Sequence, residues 1–330
     1  MKTFFSALAL LSGVIGAGFA SGREIAHFFA DYGKAAPIAA CSACLTLLLL
    51  FGRLPAQMTR FHAKTLPAYC RLRFGQRFGR LCAGLFALLC AMAGGAMLAA
   101  CAEIAALTLH IHGAYALGLI ASLLLSMALC RRALAGLALP GALLCALLPV
   151  LLLSMLRLPA GEASFLPLKN PLKAAASGVC YAALNAAMLS GALALLPRDH
   201  KARMRVLLLF LLLFTALLAL GVLVLLRHRQ AAYHQPLPFV YLSGQLGKRG
   251  YLLCAGSLYF AALSTLCAML ASLRHLWGCG VLLPALTCLL FACIGFGDLV
   301  SRGYPMLGML CAGLMALLCL PGQKESSSSR

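Results

Sequence analysis

The chain has 330 residues, 63% of them hydrophobic and 10% charged, with a formal net charge of +20 and a mean hydropathy of +0.97. That balance excludes a soluble globular domain and reads as a polytopic membrane protein in a lipid bilayer. It also excludes a nucleic-acid binder, because the basic residues sit in short segments between apolar runs and not on one soluble face.

The first apolar segment, Phe4 to Gly33, is interrupted by Gly13-Val14-Ile15-Gly16-Ala17-Gly18-Phe19-Ala20-Ser21-Gly22. Each glycine costs a helix about 1 kcal/mol relative to alanine. The run before the glycines reaches only about 18 Å, against a hydrocarbon core of about 30 Å. The segment therefore spans only with an unwound middle, and unwound backbone at that depth must line a protein cavity. Lys2 and the small residues near Ala17 and Ala20 imitate a signal peptide, but apolar spans simply continue after them, which favours a retained first helix.

The later apolar runs are Ala35–Phe51, Leu81–Leu109, Ala114–Cys130, Ala133–Leu156, Ala174–Pro197, Val206–Leu226, Tyr251–Leu273, Val281–Phe296 and Tyr304–Leu320, giving ten spans in all. With both termini cytoplasmic, most of the 27 lysines and arginines fall on the inner side, as the positive-inside rule asks. The inner loop Arg53–Arg80 mixes basic residues with Leu54, Met58, Phe61 and Leu66, which suits a short helix on an anionic leaflet. In the outer loop Arg227–Gly250, the apolar Pro236–Leu242 is either a lid that dips back toward the membrane or an ordinary surface loop. Residues 323–330 read as a disordered cytoplasmic tail. The sixteen cysteines lie mostly inside apolar runs and read as small packing residues, and the Cys41–Cys44 CxxC has no second pair or histidine beside it.

A polar break with Glu162, Lys169 and Lys173 divides the chain into five spans and five, residues 1–160 and 161–322 of a single transporter domain. Five is odd, so the two halves are inverted relative to each other. At the position corresponding to the first break, Ser177–Asn185 interrupts the sixth span and Ser190-Gly191 follows it, and paired interruptions of this kind point to a central binding site. The expected fold is all-α: about ten transmembrane helices in a 5+5 inverted repeat, with the first and sixth helices broken.

The string Gly16 to Ile25, followed by Phe28-Phe29 and Tyr32-Gly33, resembles the opening of the YkvI family of bacterial membrane proteins, with Arg23 where that family usually has Gln. Looser echoes are Met92–Ala96 in the third span and Tyr181–Asn185 in the sixth, where the family tends to have Tyr-x-Ser-Tyr-Asn. The resemblance covers essentially the whole chain. It implies the LeuT-type fold of the amino acid–polyamine–organocation superfamily, a place in the bacterial cytoplasmic membrane, and no particular cargo. In related sodium-coupled transporters one Na+ site joins carbonyls of the broken first span to a hydroxyl pair on the eighth. The matching positions here are the carbonyls of Ser12, Ile15 and Ala261 and the hydroxyls of Ser264 and Thr265. The alternative is that both hydroxyls bond a carbonyl one turn back. Phe19 stands where a second ion would need an amide, so at most one sodium is implied.

A substrate carboxylate would meet exposed N–H groups at the break, Gly16, Ala17, Gly18, Phe19, Ala20, Ser21 and Gly22. Tyr181 and Asn185 face it from the sixth span, Asn185 either bonding substrate or packing helices together. Glu24 either carries a proton or a substrate amine, or pairs with Arg23 or water, and Glu103, embedded in the third span, is a second candidate for proton coupling. The expected activity is secondary transport of a small amino-acid-like or related organic solute, coupled to sodium. The alternatives are proton coupling through Glu24 or Glu103, or a solute sensor of the same fold. No nucleophile–base pair or ligand cluster suggests an enzyme, and no cofactor is expected.

Overall fold

In a computed structural model, residues 2–63, 65–130, 138–159, 170–189, 196–197 and 199–319 are described, and among them there is helix and no strand. The helices are α1 (Lys2–Val14), α2 (Ala17–Ala20), α3 (Arg23–Phe28), α4 (Ala36–Arg60), α5 (Leu66–Phe74), α6 (Gln76–Leu109), α7 (Ala114–Leu129), α8 (Ala138–Met155) and α9 (Pro171–Met188). They continue as α10 (His200–Arg227), α11 (Arg229–Ala232), α12 (Pro238–Gly244), α13 (Lys248–Trp277), α14 (Leu282–Ala292), α15 (Phe296–Asp298) and α16 (Tyr304–Cys319). The expected features at Glu162 and Lys169, Ser190–Gly191 and residues 323–330 lie outside the described residues, as does the boundary between the two halves.

Among the described residues, five helical stretches are long and apolar enough to cross a membrane: Ala30–Arg60, Gln76–Leu109, His200–Arg227, Lys248–Trp277 and Phe296–Cys319. The exposed side chains agree. Leu208, Leu212 and Leu223 on α10 and Leu286 and Leu290 on α14 are exposed leucines at helical spacing, an arrangement that water would penalise and lipid accepts. Helix α6 is the central post, buried along most of its length. The Met92–Ala96 motif has a packing role: a Cβ on Gly95 would stand 2.5 Å from Phe291 Cβ and 2.8 Å from the Cys288 carbonyl, so the missing side chain lets α14 seat on α6.

Two boundaries differ from expectation. Helix α4 runs nine residues past Phe51, to Arg60, because Leu54, Pro55 and Met58 are buried and reward its continuation. The amphipathic segment after it forms α5, but Leu66, Tyr69 and Cys70 are buried against the protein instead of being left for a membrane surface. Arg73 fixes this corner by donating to the Leu318 carbonyl at 2.6 Å and to the Tyr69 hydroxyl at 2.8 Å.

The first segment breaks where the glycines predict. Helix α1 stops at Val14, and α2 is a single turn whose N-cap, Gly16, is extended. Gly22 then takes φ +86°, a left-handed conformation that suits glycine. The sixth segment does not break where expected. Helix α9 is continuous through Ser177–Asn185, because the small residues there are packing contacts: a Cβ on Gly178 would lie 2.1 Å from the Ala39 carbonyl of α4. Helix α9 ends only at Met188.

Candidate functional site

The break releases backbone groups in the middle of an apolar bundle. In a continuous helix the Gly16 N–H would close on the Ser12 carbonyl. Here it donates to nothing, and the Ile15 carbonyl accepts nothing among the described residues. Ile15 is 1% exposed, and a buried backbone group without a partner costs about as much as a lost hydrogen bond. A Cβ on Gly16 would meet no atom within 4 Å, so there is room beside these groups.

Glu24 reaches back to the short helix that follows, at Gly18. A Cβ at Gly18 would stand 2.0 Å from Glu24 Oε1, so the carboxyl group lies against bare glycine backbone. Glu24 is 7% exposed and makes no hydrogen bond or ion pair with the described residues. It does not pair with Arg23, whose Nη1 donates to the Tyr233 carbonyl at 3.1 Å. Tyr181 and Tyr304, both fully buried, are its electrostatic neighbours. The Tyr181 ring is packed by Phe28, Phe29 and Phe214, with centroids at 5.4, 5.0 and 6.1 Å. Its hydroxyl has no hydrogen-bond partner, and Asn185, one turn further on, approaches it without meeting hydrogen-bond geometry. Glu24 and the Tyr181 hydroxyl are thus two buried polar groups awaiting a partner.

The other candidate residues are placed less suggestively. The Ser21 hydroxyl is spent within its own turn, donating to the Gly18 carbonyl at 2.9 Å. Ala17, Phe19 and Ala20 are core, Phe19 lying 5.8 Å from the Phe214 ring. Asn185 Nδ2 donates to the Tyr181 carbonyl at 3.0 Å, leaving its carbonyl oxygen for another group. Ser264 and Thr265 both donate to the Ala261 carbonyl, at 2.8 and 3.0 Å. Their oxygens keep lone pairs for a cation. The Ala261 carbonyl, already the acceptor of its own helical turn, is filled, so the expected five-oxygen shell loses that member. Helix α13 does pack against α2. Glu103 is not among these groups and lines a separate cavity instead.

Sequence reading missed Tyr304 and the outer closure. The Phe239 N–H of α12 donates to the Ser21 carbonyl at 2.9 Å, and the Phe239 ring covers Gly22. Leu237, Phe239, Val240 and Leu242 are buried, so Pro236–Leu242 packs against the break and is not left as a surface loop. The Tyr233 hydroxyl donates to Asp31, which also meets His27 Nδ1 at 3.5 Å. Burial first, and then the Asp31 hydrogen bond, push the Tyr233 hydroxyl well above the usual phenol range, so it remains a donor at neutral pH. Nothing in the sequence ties Tyr233 to Asp31 across some two hundred residues. The latch has a testable strength. A hydrogen bond to a charged group is worth about 1.5–3 kcal/mol. Tyr233→Phe is therefore expected to speed hydrogen exchange of the α12 amides about tenfold or more, with α6 unchanged as the internal control.

No protein-family model matches the chain, and no curated protein matches it. The YkvI-type resemblance therefore rests on its motifs alone.

Proposed function

We propose that the chain is a secondary transporter of a small amino-acid-like or related organic solute, working by alternating access around the break between α1 and α2. One observation carries this reading: the released carbonyl of buried Ile15 and the released N–H of half-buried Gly16 lie in one broken segment with the unpartnered carboxyl group of Glu24. A structural helix has no reason to keep that combination, whereas a solute site uses it.

The reading includes ten spans in two inverted halves, in the bacterial cytoplasmic membrane with both termini inside. The spans are α1–α3, α4, α6, α7 and α8, then α9, α10, α13, α14 and α15–α16. The pattern of packing supports the repeat, because exchanging each span with the one five places on turns contacts into contacts. The second span packs on the sixth and the seventh on the first. Likewise the tenth packs on the sixth and the fifth on the first, while the third packs on the ninth and the eighth on the fourth. The third–eighth and second–seventh pairs map onto themselves. Lid α12, seated on Ser21 and Gly22, then closes the outer route to the site.

Coupling is assigned to a proton on Glu24. The carboxyl group is at the break, has no cation of its own, and can hold a proton when the site is empty. Sodium coupling is the second reading, favoured by the free Ile15 carbonyl and the adjacent hydroxyls of Ser264 and Thr265, with Ser12 supplying a further carbonyl. Uptake of a labelled amino-acid mixture into proteoliposomes separates the two. An inward proton gradient is expected to drive accumulation without sodium, unchanged in Ser264→Ala/Thr265→Ala. Accumulation that needs a sodium gradient and disappears in the double variant moves the coupling to sodium. Binding with no flux under either gradient makes the protein a sensor and removes the transport reading.

A further inference from the structure

A second cavity, of about 490 Å³, lies between the outer end of α6, the lid helix α12 and the start of α13. No residue of the broken first segment lines it. Its size falls within the range of small-molecule sites. Glu103 lines it from α6 and Lys248 from α13, with the amides of Gln235 and Gln245 and the imidazole of His110 around them. Glu103 is half-buried in an otherwise apolar helix and makes no hydrogen bond or ion pair with the described residues, Lys248 included. An embedded carboxylate is costly and ordinarily partnered. Here a candidate cation, the exposed Lys248, lines the same cavity without closing on it.

We infer that this cavity is a binding site for a small zwitterion, its ammonium group on Glu103 and its anionic group on Lys248, and that occupancy holds the lid shut. Opposite charges that share a cavity without pairing leave both groups for a ligand that carries the complementary pair. Leu237 and Val240 line the same cavity, and they flank Phe239, which covers the break. An occupant bridging α6 and α13 against these residues makes contacts that opening of α12 would break, so it favours the closed state by its differential affinity. The shared chemistry, an ammonium and an anion on one small group, occurs in free amino acids and in the headgroup of phosphatidylethanolamine.

The test uses the full chain in phosphatidylcholine nanodiscs, with 4-aminobutyrate and phosphoethanolamine as probes and butyrate and butylamine as single-charge controls. Both zwitterions are expected to raise the unfolding temperature in a concentration-dependent way. The rise is lost in Glu103→Gln and in Lys248→Gln and kept in Glu24→Gln, which separates this site from the break whether or not the protein transports. Zwitterion is also expected to slow maleimide labelling of Cys254, read by peptide mass. Cys254 is buried with its Sγ 3.9 Å from the Phe239 carbonyl and is uncovered as the lid lifts. If the lipid headgroup is the occupant, phosphatidylethanolamine nanodiscs alone reproduce the Glu103-dependent rise and the free probes add nothing. Equal rises in wild type and Glu103→Gln, equal rises with the single-charge controls, or no rise with any zwitterion or with phosphatidylethanolamine overturns the proposal.

Discussion

Replacing Glu24 by Gln is expected to abolish concentrative uptake while leaving exchange of solute across the membrane intact. Gln matches the carboxyl group in size, so it fits against the bare backbone of Gly18, where a Cβ would already stand 2.0 Å from Glu24 Oε1. It cannot release a proton. With one proton moved per solute, each unit of imposed pH gradient supplies about 1.4 kcal/mol, or about tenfold accumulation. The wild-type ratio should therefore rise about tenfold per unit of inward proton gradient, and the variant's ratio should stay near one at every gradient. Counterflow measured in the same liposomes checks that the variant still binds and moves solute. If Glu24→Gln accumulates solute as the wild type does, Glu24 is not the coupling group.

What the sequence shows of this site, and what it hides, follow from the range of the interactions. The break at Gly16–Gly22 is a local matter of glycine propensity and span length, and both are written in consecutive residues. The placement of Glu24 directly after it is equally local. The continuity of α9 is not. Gly178 reads as an interruption when only its own helix is considered, and becomes a contact point once α4 brings the Ala39 carbonyl against it. Asn185 and Ser264 show the same thing on a smaller scale. Each has a functional reading by position, and each donates a hydrogen bond within its own helix, to Tyr181 and Ala261 respectively. The lid was half legible. An apolar Pro236–Leu242 in an outer loop announces burial somewhere, but its hydrogen bond to Ser21 and the Tyr233–Asp31 latch belong to the tertiary structure alone.

The contrast between two glycines tests the packing side of this account, since one substitution type should have opposite signs at the two positions. Both Gly178 and Gly256 lie inside long helices, α9 and α13, where alanine gains about 1 kcal/mol in helix propensity. At Gly256 a Cβ would meet nothing within 4 Å, so Gly256→Ala keeps that gain and raises the unfolding temperature. At Gly178 the new methyl would stand 2.1 Å from the Ala39 carbonyl and 2.2 Å from Ser42 Oγ, and neither has an easy retreat. The first is backbone, and the Ser42 hydroxyl donates to both the Ala39 and Ala175 carbonyls at 2.9 Å, bonding the two helices together. Overpacking of this kind costs about 1–3 kcal/mol, which outweighs the propensity term. Gly178→Ala is therefore expected to lower the unfolding temperature, and Gly178→Val to lower it further. The damage should reach the site, because Ser177 donates to the Phe28 carbonyl at 2.9 Å and Tyr181 packs on Phe28 and Phe29. Solute affinity should thus fall in Gly178→Ala and hold in Gly256→Ala. A Gly178→Ala protein as stable as the wild type would mean that α4 and α9 are not in the close contact from which the continuous sixth segment was argued.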